Sequence, residues 1–430
     1  MNPGSDRVVV TGPAAVRGTV RVPGDKSISH RALMLAGLAP GRSRITGLSG
    51  GEDVRHTAAA MAALGARVDD SAGFTTEVVV DGGTLSGADR PIDVGNSGTG
   101  IRLLAGLCAG LPFTTTLDGD ESIRRRPMGR IVEPLRQMGA DISGRDEGRL
   151  APLVIRPAAL HAITYELPVA SAQVKSAVLF AGLFAPGETT VVEPTPTRAH
   201  TEEMFEVFGV PVHAHGGRIS VSAAIPVACD VAVAADPSQA AFWVVAGLIA
   251  PDSEVTVPNV YLGPARGEFV DVLVRMGADL VVDRSAGTLT ARSSDLHGTD
   301  VGPDEVPGLI DEIPILAVAA ARAHGVTRFR GVGELRHKES DRLATTSELV
   351  AVMGAGVSVT DDELHVVGVT VSEPVTIDSH GDHRIAMAAA VAALVADGDS
   401  VIDGFDAVAT SYPDFRAHLA SLTGHGGDAS

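Results

Sequence analysis

Cysteine is nearly absent from this chain of 430 residues, which has only Cys108 and Cys229. Two thiols cannot form a disulfide framework, and neither belongs to a CxxC or Cys/His group, so both read as small buried hydrophobes. Aromatic residues make up 3% of the chain, with Trp243 the lone indole. The core must therefore be built from Ala, Val, Leu and Ile. Positive charge is short as well: 34 basic residues face 53 acidic ones, a net charge of −19. That balance excludes a broad nucleic-acid or anionic-membrane surface. Any anionic ligand must be held by a local cationic pocket. Lysine is the scarcest cation, confined to Lys26, Lys175 and Lys338 among many arginines. A lysine kept against such a bias suggests work that arginine cannot do, as a point charge or a group that deprotonates. Uncharged apolar runs such as 240–250 and 385–396 fall well short of the ~18–20 residues of a membrane helix. The opening MNPGSDRVVV has no apolar segment of a secretory signal, so the expected location is the cytoplasm.

What is present is ordinary globular composition, 45% apolar and 20% charged, in a chain long enough for two or three domains. The sequence also echoes itself. Ala-Gly-Leu recurs at 36–38, 105–107, 181–183 and 246–248, a period of about 70 residues, longer than that of the common solenoids. A looser ending recurs as LGARV, MGADI, FGVPV, MGADL and MGAGV. One unit shows the pattern in detail. A strand over 90–94 is followed by the turn Gly95–Gly100 and an all-round apolar helix over 101–110. A strand over 114–117, an amphipathic helix over 130–138 ended by Gly139, a charged loop and a strand over 153–155 complete it. The order predicts six units, three in each of two domains, with buried helices opening near Ser27, Ser97, Ser171, Ser238, Asp311 and Asp382. A composition shift at 223–230 marks a crossover between domains, and the tail GHGGDAS reads as frayed.

Four segments place cations and hydroxyls at the starts of these helices, where free N–H groups and the positive dipole end favour anions. The first is Gly24-Asp25-Lys26-Ser27-Ile28-Ser29-His30-Arg31. The second is Asn96-Ser97-Gly98-Thr99-Gly100-Ile101-Arg102, followed downstream by Arg124-Arg125-Arg126-Pro127. It is neither a dinucleotide fingerprint nor a Walker loop, which disfavours a kinase or NTPase. The third is Ser171-Ala172-Gln173-Val174-Lys175-Ser176, with Thr197-Arg198 and His200-Thr201-Glu202 beyond it. The fourth combines Asp311-Glu312, His337-Lys338-Glu339-Ser340-Asp341-Arg342 and Gly381-Asp382-His383-Arg384. Lys338 and Arg342, four apart, are expected on one helical face, and a carboxylate such as Glu339 amid cations can act as acid or base. No set of residues has convincing metal-ligand spacing.

Taken in order, PGDKSISHRALMLAGLA, GNSGTGIRLL, RRRPMGRIVEPL, SAQVKSAVLFAGL, LIDEIPILAVAA, KESDRL, GDHRIAMA and SYPDF resemble the enolpyruvyl transferase family over nearly the whole chain, in its branch acting on 3-phosphoshikimate. The resemblance implies a two-domain inside-out α/β barrel of six βαβαββ-type repeats, with buried parallel helices and sheets outside. One lobe would span 21–228, the other 1–20 plus 229–430, with the active site in the cleft between them. The implied reaction joins phosphoenolpyruvate to 3-phosphoshikimate through a tetrahedral intermediate and releases phosphate. It would need no metal or organic cofactor, and a monomer with glyphosate as inhibitor is expected.

Carried over by residue, Lys26, Ser27, Arg31, Ser171, Ala172, Gln173, Thr197, Asp311 and Lys338 would bind 3-phosphoshikimate. Lys26, Gly98, Arg126, Gln173, Arg342 and Arg384 would bind phosphoenolpyruvate. Asp311 would be the base for the attacking hydroxyl, and Glu339, with Lys26 and Lys338, would deliver the proton to the methylene carbon. Three positions depart from the family's pattern. Ala172 replaces a serine, Glu334 an asparagine and Thr410 a lysine. Two rivals remain: a UDP-N-acetylglucosamine carboxyvinyltransferase on the same fold, which would need a reactive loop cysteine, and a non-catalytic repeat scaffold. Cys108, inside an apolar helix pattern, is poorly suited to the first.

Overall fold

The computed structural model describes residues 6–374 and 376–424; the end of the tail that the sequence marks as frayed lies outside them. Contacts divide the chain into two compact units, Met1–Pro23 with Ala234–Ser430, and Gly24–Val233.

Each unit holds three buried helices. In Gly24–Val233 they are α1 (Lys26–Leu38), α2 (Gly98–Ala109) and α3 (Ala172–Gly182). In the other unit they are α4 (Pro237–Ile249), α5 (Ile313–Ala321) and α6 (His383–Ala393). Beyond their first turns their sequences are almost wholly apolar, which suits the interior; every residue of α5 (IPILAVAAA) is buried. The scarcity of aromatics is answered by small side chains that let backbones approach. A Cβ on Gly106 of α2 would lie 2.2 Å from the carbonyl oxygen of Ala177 on α3, a separation only glycine permits.

Sheets cover these helices, and the described residues form six, five of four strands and one of three. The strand order repeats. In the second repeat Ile92–Asp93 pairs parallel with Thr115–Asp118 across α2, Leu150–Arg156 adds antiparallel, and Asp141–Arg145 lies at the edge. The parallel pair requires a crossover, and the buried helix supplies it. Long-range closure is built in: Val231–Ala232 pairs parallel with Gly41–Thr46, Arg7–Gly12 runs antiparallel to Gly398–Asp403, and Arg17–Thr19 runs parallel to Glu254–Val257. Amphipathic helices pack between the repeats. Gly129–Gln137, for example, buries Ile131, Val132, Pro134 and Leu135, and Gly139 beyond its end has φ +95°, as a helix-terminating glycine should.

Several local expectations are corrected. The segment read as a charged loop contains the strand Asp141–Arg145, whose charged residues occupy outward positions of an edge strand. Three helix starts move. Asp25, not Ser27, caps α1 by accepting from the N–H of Ile28, and Asp236, not Ser238, caps α4 ahead of Pro237. Helix α5 begins two residues beyond Asp311, after Glu312. Lys338 and Arg342 do not share a helical face. Lys338 ends a 3-10 turn, Gly333–His337, while Arg342 opens the helix Arg342–Val352, with Asp341 as its cap. Cys108 is buried as expected, but Cys229 is only half-buried.

No helix among the described residues is long and apolar enough to cross a membrane. The single indole, Trp243, is fully buried in α4; it stacks on Phe415 at 4.7 Å and donates to the Tyr412 hydroxyl at 3.0 Å.

Candidate functional site: two cationic clusters at helix starts

In the Gly24–Val233 unit the starts of α1, α2 and α3 are tied to one another by polar side chains. Arg31 is 2% exposed. Its guanidinium donates to Thr201 Oγ1 (2.7 Å), the Ser27 carbonyl (2.7 Å) and Ser176 Oγ (2.6 Å), joining α1 to α3 and to the helix His200–Val207. Lys26 Nζ lies 3.1 Å from Asp53 Oδ2. Behind them His30 is fully buried, and burial, with the charges of Lys26 and Arg31, holds its imidazole well below the usual range. It is therefore a neutral ring that bonds Thr57 Oγ1 at 2.7 Å.

Ser97 caps α2 by accepting from Gly100 N at 2.9 Å. Gly98 opens that helix under the Arg126 guanidinium: a Cβ there would lie 2.5 Å from Arg126 Nη1. Of the three consecutive arginines, Arg124 and Arg125 are exposed and pair with Asp118 and Glu121, whereas Arg126 is 8% exposed. Ser171 caps α3, with Ala172 as its first residue. The Gln173 amide is clamped, accepting from Arg102 and donating to Thr99 Oγ1 at 3.0 Å. Thr197 is buried and donates to Glu193. These contacts bring together the predicted residues Lys26, Ser27, Arg31, Gly98, Arg126, Ser171, Ala172, Gln173 and Thr197 around three convergent helix starts.

In the other unit a second cluster is centred on Asp311. Its Oδ1 lies 3.3 Å from both Lys338 Nζ and Arg342 Nη1 and 4.0 Å from Arg384 Nε. Arg384 also donates to the Asp311 carbonyl at 3.2 Å. Arg342, 1% exposed, further donates to Glu339 and binds Asp382 at 2.9 Å. Asp382 itself caps α6 through Arg384 N. Burial pushes the Asp382 carboxyl up, but the charge and hydrogen bonds of Arg342 outweigh it and hold the group below its ordinary value. Burial likewise disfavours the Arg342 cation, and Asp382, Glu339 and Asp311 reverse that, raising its pKa. Beside Asp311, Glu312 is buried against Ser238 and against Arg266 (3.2 Å), which also binds Asp236 at 2.8 Å. Those buried contacts tie the start of α5 to the start of α4.

All fourteen predicted residues thus fall into two clusters, Asp311, Lys338, Glu339, Arg342 and Arg384 forming the second. Sequence reasoning named Arg102, Glu312 and Asp382 only as members of helix-start segments, gave them no holding role, and missed Asp53 and Arg266. Arg102, Asp53, Asp382 and the Arg266–Glu312 pair carried no signal beyond lying near a helix start, because each acts on a partner far away in the chain. The departures Glu334 and Thr410 lie on 3-10 turns, Gly333–His337 and Phe405–Thr410. Cys108 is an inert thiol: burial pushes it up to about 12.

Buried helices wrapped by sheets of one strand order, with guanidinium and ammonium groups gathered at the helix starts, define an α/β protein of the enolpyruvyl transferase fold. An enolpyruvyl transferase from Streptomyces tendae, NikO, shares that fold at a TM-score of 0.81 and 19% identity, covering 97% of each chain. An EPSP synthase structure from Acinetobacter baumannii matches at a TM-score of 0.85 and 38% identity, covering 97% of this chain and 98% of that one. Among sequences, the 3-phosphoshikimate 1-carboxyvinyltransferase of Geobacillus thermodenitrificans is 45% identical over 96% of this chain and 98% of its own length. That of Anaeromyxobacter is 47% identical over 95% and 96%. The family described as EPSP synthase (3-phosphoshikimate 1-carboxyvinyltransferase) matches residues 10–419, and the chain belongs to it.

Proposed function

We propose that this chain transfers the carboxyvinyl group of phosphoenolpyruvate to the 5-hydroxyl of 3-phosphoshikimate, giving 5-enolpyruvylshikimate 3-phosphate and phosphate in the shikimate pathway. The observation that carries the reading is the Asp311 cluster, a carboxylate ringed by Lys338, Arg342 and Arg384, in a chain aligned end to end with enzymes of that name. Both substrates bear a carboxylate and a phosphate, each phosphate carrying about −1.5 to −2 charges. A chain of net charge −19 must concentrate cations to hold them, and arginine forks suit both groups.

In this reading the two units are the lobes of the enzyme and their clusters serve one pair of substrates. Ser27, Ser171, the Ala172 N–H, Thr197 and Arg31 hold 3-phosphoshikimate, with Gln173 against its ring and Lys338 and Asp311 at its hydroxyls. Arg126, Arg342 and Arg384 receive phosphoenolpyruvate beside Gly98, and Lys26 reaches both. Glu339, assisted by Lys26 and Lys338, gives a proton to the methylene carbon. The 5-hydroxyl oxygen then bonds to C2 while its proton passes to Asp311, forming the tetrahedral phospho-ketal. Return of a methyl proton to Glu339 and departure from C2 of phosphate, which carries off the proton held by Asp311, restore the double bond. Glyphosate, an anionic mimic of phosphoenolpyruvate, would compete where Gly98 leaves room. All the proposed residues come from one chain, so a monomer suffices. The cytoplasm, where these phosphorylated substrates are made and retained, is its place.

The UDP-N-acetylglucosamine reaction on this fold is disfavoured by the inert, buried Cys108. The test mixes the purified chain with phosphoenolpyruvate and either acceptor and measures phosphate release. Turnover with 3-phosphoshikimate alone is expected; turnover only with the UDP-sugar would reassign the function.

A further inference from the structure

The third lysine is used by nothing above. Lys175 of α3 is wholly buried, and its ammonium lies 2.6 Å from Glu202 Oε1, 3.2 Å from Glu193 Oε2 and 3.4 Å from the Thr197 carbonyl. The two carboxylates are 5% and 10% exposed, and Glu202 Oε2 is buried with no hydrogen-bond partner. With both glutamates ionised, Lys175, Glu193 and Glu202 together carry a net charge of −1 in the interior, which is costly. Glu193 also bonds the Thr197 hydroxyl, which is one of the groups assigned above to the 3-phosphoshikimate phosphate. A hydroxyl has a single hydrogen. If Thr197 spends it on an ionised Glu193, only lone pairs remain to face a phosphate dianion, and those repel it.

We propose that Glu193 is a positioning residue for phosphate. On binding it takes one proton from water, donates it in a hydrogen bond to Thr197 Oγ1, and so frees the Thr197 hydrogen to point at the phosphate oxygen. This inference rests on the functional reading above. The proton also brings the Lys175–Glu193–Glu202 group to neutrality just where a dianion must be accommodated. Burial already pushes the Glu193 carboxyl upward, and the charge of Glu202 adds to it, against the opposing pull of Lys175 and the Thr197 hydroxyl. The charged neighbours are Lys175 from α3, Glu202 from the helix His200–Val207 and Arg198 in the same loop; Arg218 on the adjoining strand is exposed.

The experiment measures the dissociation constant of 3-phosphoshikimate by calorimetry from pH 6.5 to 9 for the full chain and for Glu193→Gln. This range lies above the second ionisation of the ligand phosphate, near 6. The glutamine amide mimics the protonated acid, donating to Thr197 at every pH. Wild-type affinity is expected to fall relative to Glu193→Gln by up to tenfold per pH unit, the slope of one linked proton. The two affinities should lie closest at pH 6.5 and diverge as pH rises. Parallel profiles, or a Glu193→Gln affinity more than tenfold weaker at pH 6.5 with an unchanged unfolding midpoint, would overturn the assignment. Should the variant fail to fold, wild-type binding heats in buffers of different ionisation enthalpy decide: proton uptake supports the proposal and its absence refutes it. A wild type that binds no 3-phosphoshikimate at any pH removes the functional reading itself.

Discussion

Asp382→Asn separates a charge from a helix cap. Asp382 is wholly buried, binds Arg342 through Nε (2.9 Å) and Nη2 (3.2 Å), accepts from Ser340 at 3.1 Å and caps α6. Asparagine caps as well as aspartate, so the helix is spared, but the buried guanidinium loses the anion that holds two of its nitrogens. Breaking a buried pair from one side costs about 3–5 kcal/mol. Arg342 keeps Asp311 and Glu339, which places the loss near the lower bound, about 3 kcal/mol. Asp382→Ala should lose about 1 kcal/mol more, the value of the cap. Urea unfolding followed by Trp243 fluorescence reports on this unit, because the indole is buried in α4. With a slope of roughly 3 kcal/mol per molar, the Asp382→Asn midpoint should fall by about 1 M. The acid limb gives a second reading. The folded Asp382 carboxyl lies below its unfolded value, which is about 3.9. Its contribution is therefore full above that value and lost as pH falls through the folded one, and the variant should lack that part of the acid dependence. A midpoint equal to wild type at pH 7 would refute the account of Arg342 as a cation fixed by buried anions.

Gly98→Ala places a methyl 2.5 Å from Arg126 Nη1 and must displace that guanidinium; at the start of a helix alanine itself is harmless. Weakening one charge-assisted contact should raise the phosphoenolpyruvate KM roughly 10- to 100-fold, weaken glyphosate inhibition and leave 3-phosphoshikimate binding unchanged; an unaltered KM would remove Arg126 from that site. Asp311→Ala and Glu339→Ala should each lower kcat by about 10²–10⁴ while the unfolding midpoint moves little; wild-type rates would exclude them from the proton transfers. Cys108, with its thiol near 12, should resist alkylation of the native chain at pH 8 while half-buried Cys229 reacts; equal labelling of both would contradict the burial of α2.

Much of the fold was legible because the six interior helices are almost wholly apolar beyond their first turns. Such segments have one destination, and their regular recurrence revealed the repeat count. The Asp141–Arg145 strand escaped notice because an edge strand of an outer sheet is held by backbone pairing and displays charges outward. Helix starts at Ser27 and Ser238 were misplaced by two residues because serine and aspartate compete for the same capping role, and local sequence does not rank them. The i, i+4 reading of Lys338 and Arg342 failed for a different reason. Lys338 ends one turn and Asp341 caps the next helix, so the two cations reach Asp311 from separate elements.

The sequence by itself determined which residues carry charge and hydroxyls at helix starts, since capping and dipole preferences act over three or four neighbouring residues. Only the tertiary structure decided how each group is held. Arg31 is spent on Thr201 and Ser176, Gln173 is clamped by Arg102 and Thr99, Arg342 is fixed by Asp382, and Lys175 binds two glutamates. Most of those partners are tens of residues or more away along the chain. A buried charge needs a partner wherever folding can bring one, and the distance along the sequence imposes no pattern from which that partner could be read.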